Sequence, residues 1–371
     1  MTMRALVLST LPREGPSARP RLYAYERHLR TRGIEPVFAP LLSSRATRRF
    51  YALGPAARAT RLASAAAGAL GRLGRLLGAG GFDVVVVHRD LLPRGNKTAL
   101  RLLERAKVPW VFDFDDAIYL APRDYVDAGE PSRERMALGK DPSEIEAIVA
   151  GAAIVLAGNE TIAAWARGRC RDVRVQPTPV DTDVFRPPLR PEALGTAGVV
   201  GWVGSPTAAY CIRSLRAALG RLGHRRRYSL HVVGAGEPID VPGVKCVERA
   251  WSLDDEPDEY RALTVGLYPL PDNDWTRGKC GYKALAYMAS GAVPVVSPVG
   301  VNAEIVEHGV RGFHARSDDE WVEHVDRLLG DAELRAEMSV RGRAFVEAKY
   351  SVRALQEPFA AALLDAAARR P

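Results

Sequence analysis

The residues best equipped for chemistry gather in the stretch 270–304, around Arg277-Gly-Lys-Cys-Gly-Tyr-Lys283. A loop carries Arg277 and Lys279, Gly281 lets backbone approach a ligand closely, and a helix is expected from Tyr282. A helix start offers N–H groups and the positive end of the helix dipole, so cations beside it form an anion site. Lys283 falls in the first turn, where the dipole alone favours an acid, and a cation there points to a bound anion. The competing reading is a solvated basic loop. A second anion candidate is Gly204-Ser205, expected to open a helix over 208–222. Its bland alternative is a serine at a helix start, which is common.

Asp113, Asp115 and Asp116 follow an apolar run. Three carboxylates over four residues repel one another unless a cation or donor is near. They read as a divalent-cation site, as a pair in which Asp115 or Asp116 orients a substrate hydroxyl and takes its proton, or as caps and arginine partners. His88 ends a four-valine strand, as a base or as a satisfied strand-end histidine. Arg19 and Arg21 are expected in the loop after the first strand. Trp251 suits base stacking and a core position equally.

The elements that must position these residues alternate. Strands are expected at 4–9, 34–39, 82–88, 108–112, 153–157 and 173–176, with helices near 21–31, 97–107 and 161–167. The proline-rich stretch 177–191 reads as a linker. A second series follows: strands at 199–203, 229–233, 244–247, 263–268 and 293–297, a helix at 282–290, and tail helices at 318–329, 332–348 and 352–368. Such alternation predicts α/β architecture, two doubly wound Rossmann-like domains with ligands at the carboxyl ends of the strands.

The 270–304 stretch, with Met288-Ala-Ser-Gly291 and Pro294-Val-Val296, resembles the donor-binding segment of GT-B glycosyltransferases, in particular the large retaining family four of bacteria. The likeness extends to Ser17 and Arg19, Phe112–Ala117, Ala157–Glu160, Pro179–Phe185 and Gly201–Pro206. It implies a sugar moved from a nucleotide diphosphate sugar to the hydroxyl of a glycan, lipid-linked or small-molecule acceptor, without a metal or other cofactor. It implies an acceptor-binding domain over 1–180, a donor-binding domain over 181–350, and a C-terminal helix, 351–371, crossing back to the first. Gly204, Ser205, Trp251, Gly281, Tyr282, Lys283, Gly300, Asn302 and Glu304 become donor-binding candidates. Ser17, Arg19, Arg21, His88 and Asp113 become acceptor-binding candidates, and Asp115, Asp116, Arg277 and Lys279 catalytic ones. Two glutamates usual in the group are replaced by Gly278 and Ala286, so Glu304 is the remaining carboxylate for a ribose or sugar hydroxyl. Its plain alternative is a first-turn acid. The missing pair also admits a catalytically degenerate, sugar-nucleotide-binding scaffold.

The 371 residues carry a net charge of +8. From 36 to 82 there is no acid and there are seven arginines (Arg45, Arg48, Arg49, Arg58, Arg61, Arg72 and Arg75), so the rest is near neutral. A charge confined to one segment is not the broad basic face of a nucleic-acid binder. If 58–77 is helical, Leu62, Ala66, Leu70, Leu73 and Leu77 share one side, with Arg58, Arg61, Arg72 and Arg75 on another. That pattern reads as an element on an anionic membrane surface, or as a helix packing its leucines on the sheet. Four dispersed cysteines argue against a zinc site or a disulfide scaffold. With no leader pattern and no long apolar run, the expected place is the cytoplasm, at the inner face of the membrane if the 58–77 helix binds lipid.

Overall fold

The computed structural model describes residues 2–51, 55–92, 95–120, 142–188 and 198–370, with side chains described outside 48–62. The chain divides into two units. One takes in the described residues up to 179 together with 355–370, and the other is Val180–Ala354.

The first unit is built on a parallel sheet of β1 (Met3–Ser9), β2 (Ile34–Pro40), β3 (Val84–His88), β4 (Trp110–Phe114), β5 (Ile154–Ala157) and β6 (Val173–Val175), in the order β2-β1-β3-β4-β5-β6. β3 and β4 are buried along their whole length, as their near-continuous apolar runs demand of strands covered on both faces. Their register sets His88 opposite Asp113. The chain turns from one side of the sheet to the other between β1 and β3, a topological switch point. The residues after these two strands therefore share one crevice edge.

The second unit repeats the plan with β7 (Gly198–Val203), β8 (Tyr228–Val233), β9 (Lys245–Arg249), β10 (Val265–Tyr268), β11 (Val293–Val296) and β12 (Phe313–His314), ordered β12-β11-β10-β7-β8-β9. Val200, Trp202, Leu230, Val232, Val265, Leu267, Val293 and Val295 form its core with Trp321, Val325 and Leu328 of the Asp318–Gly330 helix. Each such side chain contributes about 1.5–3 kcal/mol on full burial. The switch point here lies between β7 and β10. The fold class is thus two doubly wound Rossmann-like units followed by C-terminal helices.

Several expectations change. The helix expected over 208–222 is a 3-10 turn (Pro206–Ala208) followed by two helices, Ala209–Arg213 and Arg216–Arg225. The break falls at Ser214, whose hydroxyl bonds the Cys211 carbonyl at 2.7 Å and competes with the helix ladder. The 21–31 helix is also interrupted: Ala18–Arg21 is helical, Tyr23–Tyr25 is a 3-10 turn, and Glu26–Thr31 is helical. Arg19 and Arg21 therefore stand on a helical turn, not in a loop. Helices at Ser44–Tyr51, Pro142–Ala150, Glu256–Arg261 and Asp274–Arg277 were not expected. Of the linker over 177–191, residues 189–191 lie outside the described residues.

The basic segment is one helix, Pro55–Leu77. Its faces do not sort leucine from arginine, for Leu76 is fully buried and Arg75 is exposed. Leu70 and Leu77 are 72% and 73% exposed, whereas Arg72 is 2% exposed. A Cβ at Gly68 would overlap the Leu41 carbonyl, so glycine brings the helix close to the chain beyond β2. One turn on, Arg72 donates from Nη2 to Ser9 O (2.5 Å) and Ala39 O (3.0 Å) and from Nη1 to Leu91 O (3.1 Å). Buried carbonyls need donors, and Arg72 turned inward supplies them at the ends of β1 and β2 and in the loop after β3. Burial lowers the Arg72 guanidinium to about 10. The side chains of Arg48, Arg49, Arg58, Arg61 and Leu62 lie outside the described set.

Candidate functional site

At the first unit's switch point, Ser17, His88, Asp113 and Asp115 form a connected chain. Ser17 Oγ lies 2.9 Å from His88 Nε2 and donates to Asp115 Oδ2 at 2.6 Å. His88 Nδ1 lies 2.7 Å from Asp113 Oδ2. Arg21 donates through Nε to both Asp113 oxygens (3.1 and 2.9 Å) and through Nη2 to Oδ1 (2.5 Å). Its Nη1 donates to Gln176 O (2.8 Å) and Thr178 Oγ1 (3.1 Å). Burial works to raise the Asp113 carboxyl, but Arg21 and the His88 bond outweigh it and hold the group below its ordinary range. Asp115 behaves alike: burial raises it, and Arg89, with His88, Arg21 and the Ser17 bond, lowers it on balance.

Arg21 and Asp113 are 1% and 0% exposed, so they do not offer themselves to a substrate. The expectation that they bind an acceptor is corrected to a positioning role: Asp113 holds the imidazole, and Arg21 neutralises Asp113. His88 is equally buried, and Ser17, Asp115 and Asp116 are the part-exposed members. Arg19 is half-buried beside them in sequence. Each of the three carboxylates meets protein donors, and among the described residues no group of three or more His, Cys, Asp or Glu is placed to hold a metal ion. Arg89, which sequence reasoning passed over, bonds Asp116 Oδ2 at 2.9 Å and Asp115 Oδ1 at 3.4 Å. It does so from a left-handed backbone (φ 69°), a conformation that costs about 1–3 kcal/mol and tends to mark functional sites. Its signal was the polar His-Arg-Asp run ending a strand of valines.

At the second unit's switch point stands Lys283, in the first turn of the Tyr282–Ala289 helix. Its Nζ lies 5.6 Å from the Trp202 ring centre and 5.4 Å from that of Tyr268, residues of β7 and β10. The helix dipole and the lysine thus act at one strand edge. Lys279 lies over Trp275 at 4.9 Å. Arg277 is 50% exposed and pairs with Asp272 (2.8 Å) and Asp274 (3.1 Å), so part of its charge is already answered. These acids follow from the Asp274–Arg277 helix, started by an Asn273–Thr276 capping box.

Gly281 caps the Tyr282–Ala289 helix at φ 69°, and a Cβ there would overlap Ile305 Cδ1. Packing against the Asn302–Ile305 helix therefore requires this glycine, a reason independent of any ligand. At Gly300 (φ 55°), an added Cβ would lie 2.6 Å from Arg277 O, which ties the two loops together. Asn302 is buried and donates to Ser297 O at 3.4 Å, so it supports this loop from within. Glu304 is exposed and Tyr282 half-buried. Gly278 and Ala286 are buried, Ala286 in the core of the unit.

Gly204 stays small because a Cβ would strike the Trp202 ring. Ser205 is exposed and extended, and its Oγ lies 3.0 Å from Thr207 Oγ1. The long helix expected to start here is replaced by a 3-10 turn, so the dipole of a long helix does not stand behind Gly204-Ser205. Gly234, which the sequence reading left unassigned, lets its backbone meet Gly204 O and the Trp251 Cβ. Trp251 is half-buried, with Nε1 donating to Glu256 Oε1 at 3.2 Å.

Residues 197–331 match the family model described as "Glycosyl transferases group 1". No curated protein matches the sequence. Among solved structures, sucrose-phosphate synthase from Thermosynechococcus elongatus is similar at 14% identity, over 97% of this chain and 98% of that one, with a TM-score of 0.70. Anabaena HepE in complex with UDP-glucose is similar at 14% identity over 98% and 99%, with a TM-score of 0.68. A UDP-forming α,α-trehalose-phosphate synthase from Burkholderia xenovorans is similar at 15% identity over 99% of each chain, with a TM-score of 0.61.

Proposed function

From the premise that this is a GT-B chain whose residues 197–331 match glycosyl transferases group 1, we propose that it moves a sugar from a nucleotide diphosphate sugar to an acceptor hydroxyl, with retention of configuration. One observation carries the reading: Lys283 stands at a helix start and at the strand edge where the sheet's topology switches, inside the matched segment. Lys279 adds a second cation nearby in sequence. In such transfers the leaving group is a diphosphate, and fixed cations and helix N-termini stabilise the charge that grows on it. The reading needs no metal. Arg277 acts in a lesser role than Lys283, since its charge is shared with two acids.

Gly204, Gly234 and Trp251 form the neighbouring edge, where Trp251 offers a ring for the base. The complexed relative named above makes UDP-glucose the first donor to test. On the other unit, Asp115 and Asp116 orient the acceptor hydroxyl, with Ser17 and Arg19 beside them. We assign the acceptor to glycans, lipid-linked sugars or small molecules, and the protein to the cytoplasm. We also propose a peripheral contact between the 58–77 segment and anionic membrane. Among the described residues no helix is long and apolar enough to cross a membrane. Leu70 and Leu77, exposed on an acid-free segment, support the contact.

The test is sugar release and transfer from a panel of nucleotide sugars, with Lys279→Ala and Lys283→Ala as controls. Turnover should fall with each substitution and survive a chelator. The second reading, a sugar-nucleotide-binding scaffold, is favoured by Gly278 and Ala286 standing where acids are usual. Binding without turnover across the panel would establish it.

A further inference from the structure

We propose that Ser17 is a proton relay, joining the buried His88 to the part-exposed Asp115 so that one proton serves both. The protons of this chain can be counted. Asp113 and Asp115, as carboxylates, only accept. His88 Nδ1 faces Asp113 at 2.7 Å, so that nitrogen carries a proton. Ser17 has one hydroxyl proton and two close partners, Asp115 at 2.6 Å and His88 Nε2 at 2.9 Å. The shorter contact has the length of a charge-assisted O–H···O bond. If the serine donates to Asp115, Nε2 must donate to the serine, and His88 holds both ring protons. If the serine donates to His88 instead, the Asp115 oxygen facing it must itself carry a proton.

The two arrangements hold the same number of protons and interconvert by a balanced double transfer. The His88 Nε2–H bond breaks as that proton joins Ser17 Oγ, and the original Ser17 O–H bond breaks as its proton joins Asp115 Oδ2. The reverse step restores the start. Nothing is oxidised or reduced, and no other reactant enters. The neighbouring charges are Arg21 on Asp113, Arg89 on Asp115 and Asp116, and Asp90 acting on Arg89. Arg19, two residues from Ser17, is a further cation of this neighbourhood, and the imidazolium follows from the hydrogen bonds rather than from the charge balance. Asp115 thereby becomes a base in one arrangement and an acid in the other. The alignment of hydroxyl, imidazole and carboxylate is the one proton transfer through histidine uses, but here the hydroxyl has a second carboxylate to serve, and Ser17 acts as a positioning residue.

Only the kinetic half of the test rests on the proposed activity. In the full-length protein with 15N-labelled histidine, the ring nitrogens of His88 are followed by NMR. Asp115→Asn should shift the His88 Nε2 signal strongly in the wild-type and S17T backgrounds and far less in S17A, where only the direct electrostatic effect of Asp115 remains. An equal shift in all three backgrounds would mean direct electrostatics and would overturn the relay. With a working donor and acceptor, S17A should lower kcat about ten-fold or more, leave KM near its wild-type value and change the pH profile, and S17T should restore both. An S17A enzyme with wild-type kcat and pH profile also overturns it. NMR coupling in a protein that turns over no donor upholds the relay and refutes the activity instead.

Discussion

Asp113→Asn isolates the buried ion pair on which the first unit's site rests. Asp113 and Arg21 are 0% and 1% exposed, and Arg21 makes three contacts with that carboxylate, at 2.5, 2.9 and 3.1 Å. The amide keeps the volume but removes the charge, leaving a guanidinium buried without its counter-ion. Breaking such a pair costs about 3–5 kcal/mol. A unit of this size shifts about 2–4 °C per kcal/mol, so its transition should fall by roughly 6–20 °C. Two units need not melt together, so scanning calorimetry should be read for the first unit's transition. The double variant Arg21→Met with Asp113→Leu removes both charges and should fall short of the sum of the single costs by about 1 kcal/mol or more. Recovery stays incomplete, because His88 still loses its partner. The pH dependence follows from the sign of the shift. The folded carboxyl sits below its ordinary 3.8, because Arg21 and His88 outweigh burial. Its contribution is complete above about pH 4 and is lost as pH falls through the lower folded value. D113N should therefore show a shallower acid limb. A cost below about 1 kcal/mol, or a double variant no better than the sum of the singles, would refute the reasoning.

Further outcomes follow from the same geometry. Gly281→Ala combines a left-handed backbone with a clash at Ile305, and should cost about 1–3 kcal/mol in urea denaturation and weaken nucleotide binding. Lys283→Ala should reduce donor turnover more than Arg277→Ala, by steady-state kinetics, because Arg277 is 50% exposed and already paired with Asp272 and Asp274. Leu70→Asp with Leu77→Asp should abolish flotation with anionic liposomes while leaving the melting curve within about 0.5 kcal/mol of wild type, since both side chains face solvent.

The sheets were legible because buried parallel strands write themselves as apolar runs: Val84–Val87 and Val293–Val296 admit little else. The loop before the Tyr282–Ala289 helix was legible as well, since glycines and cations at a helix start are local features. Contacts across the sheet were not. Nothing local to Asp113 says that Arg21, 92 residues away, completes its bonds, and this long-range pairing converts two surface candidates into buried supports. The Pro55–Leu77 helix was legible only in part. Its pattern admitted a surface face or an inner face for the leucines, and nothing local to Arg72 says that it reaches the carbonyls of Ser9, Ala39 and Leu91. Helix breaks were hidden too, because Ser214 acts through a hydroxyl bond rather than through propensity.

The central claim is that the second unit binds a nucleoside diphosphate through Lys283 and the helix behind it. The most direct measurement is the thermal shift of the full chain on titration with UDP, GDP, ADP and dTDP, repeated on Lys283→Ala. One of them should stabilise the wild type by about 2.7 kcal/mol at a hundred-fold excess over its dissociation constant, and the variant should need markedly more ligand for the same shift. If no nucleoside diphosphate shifts the wild type, or if Lys283→Ala responds as the wild type does, the account is wrong.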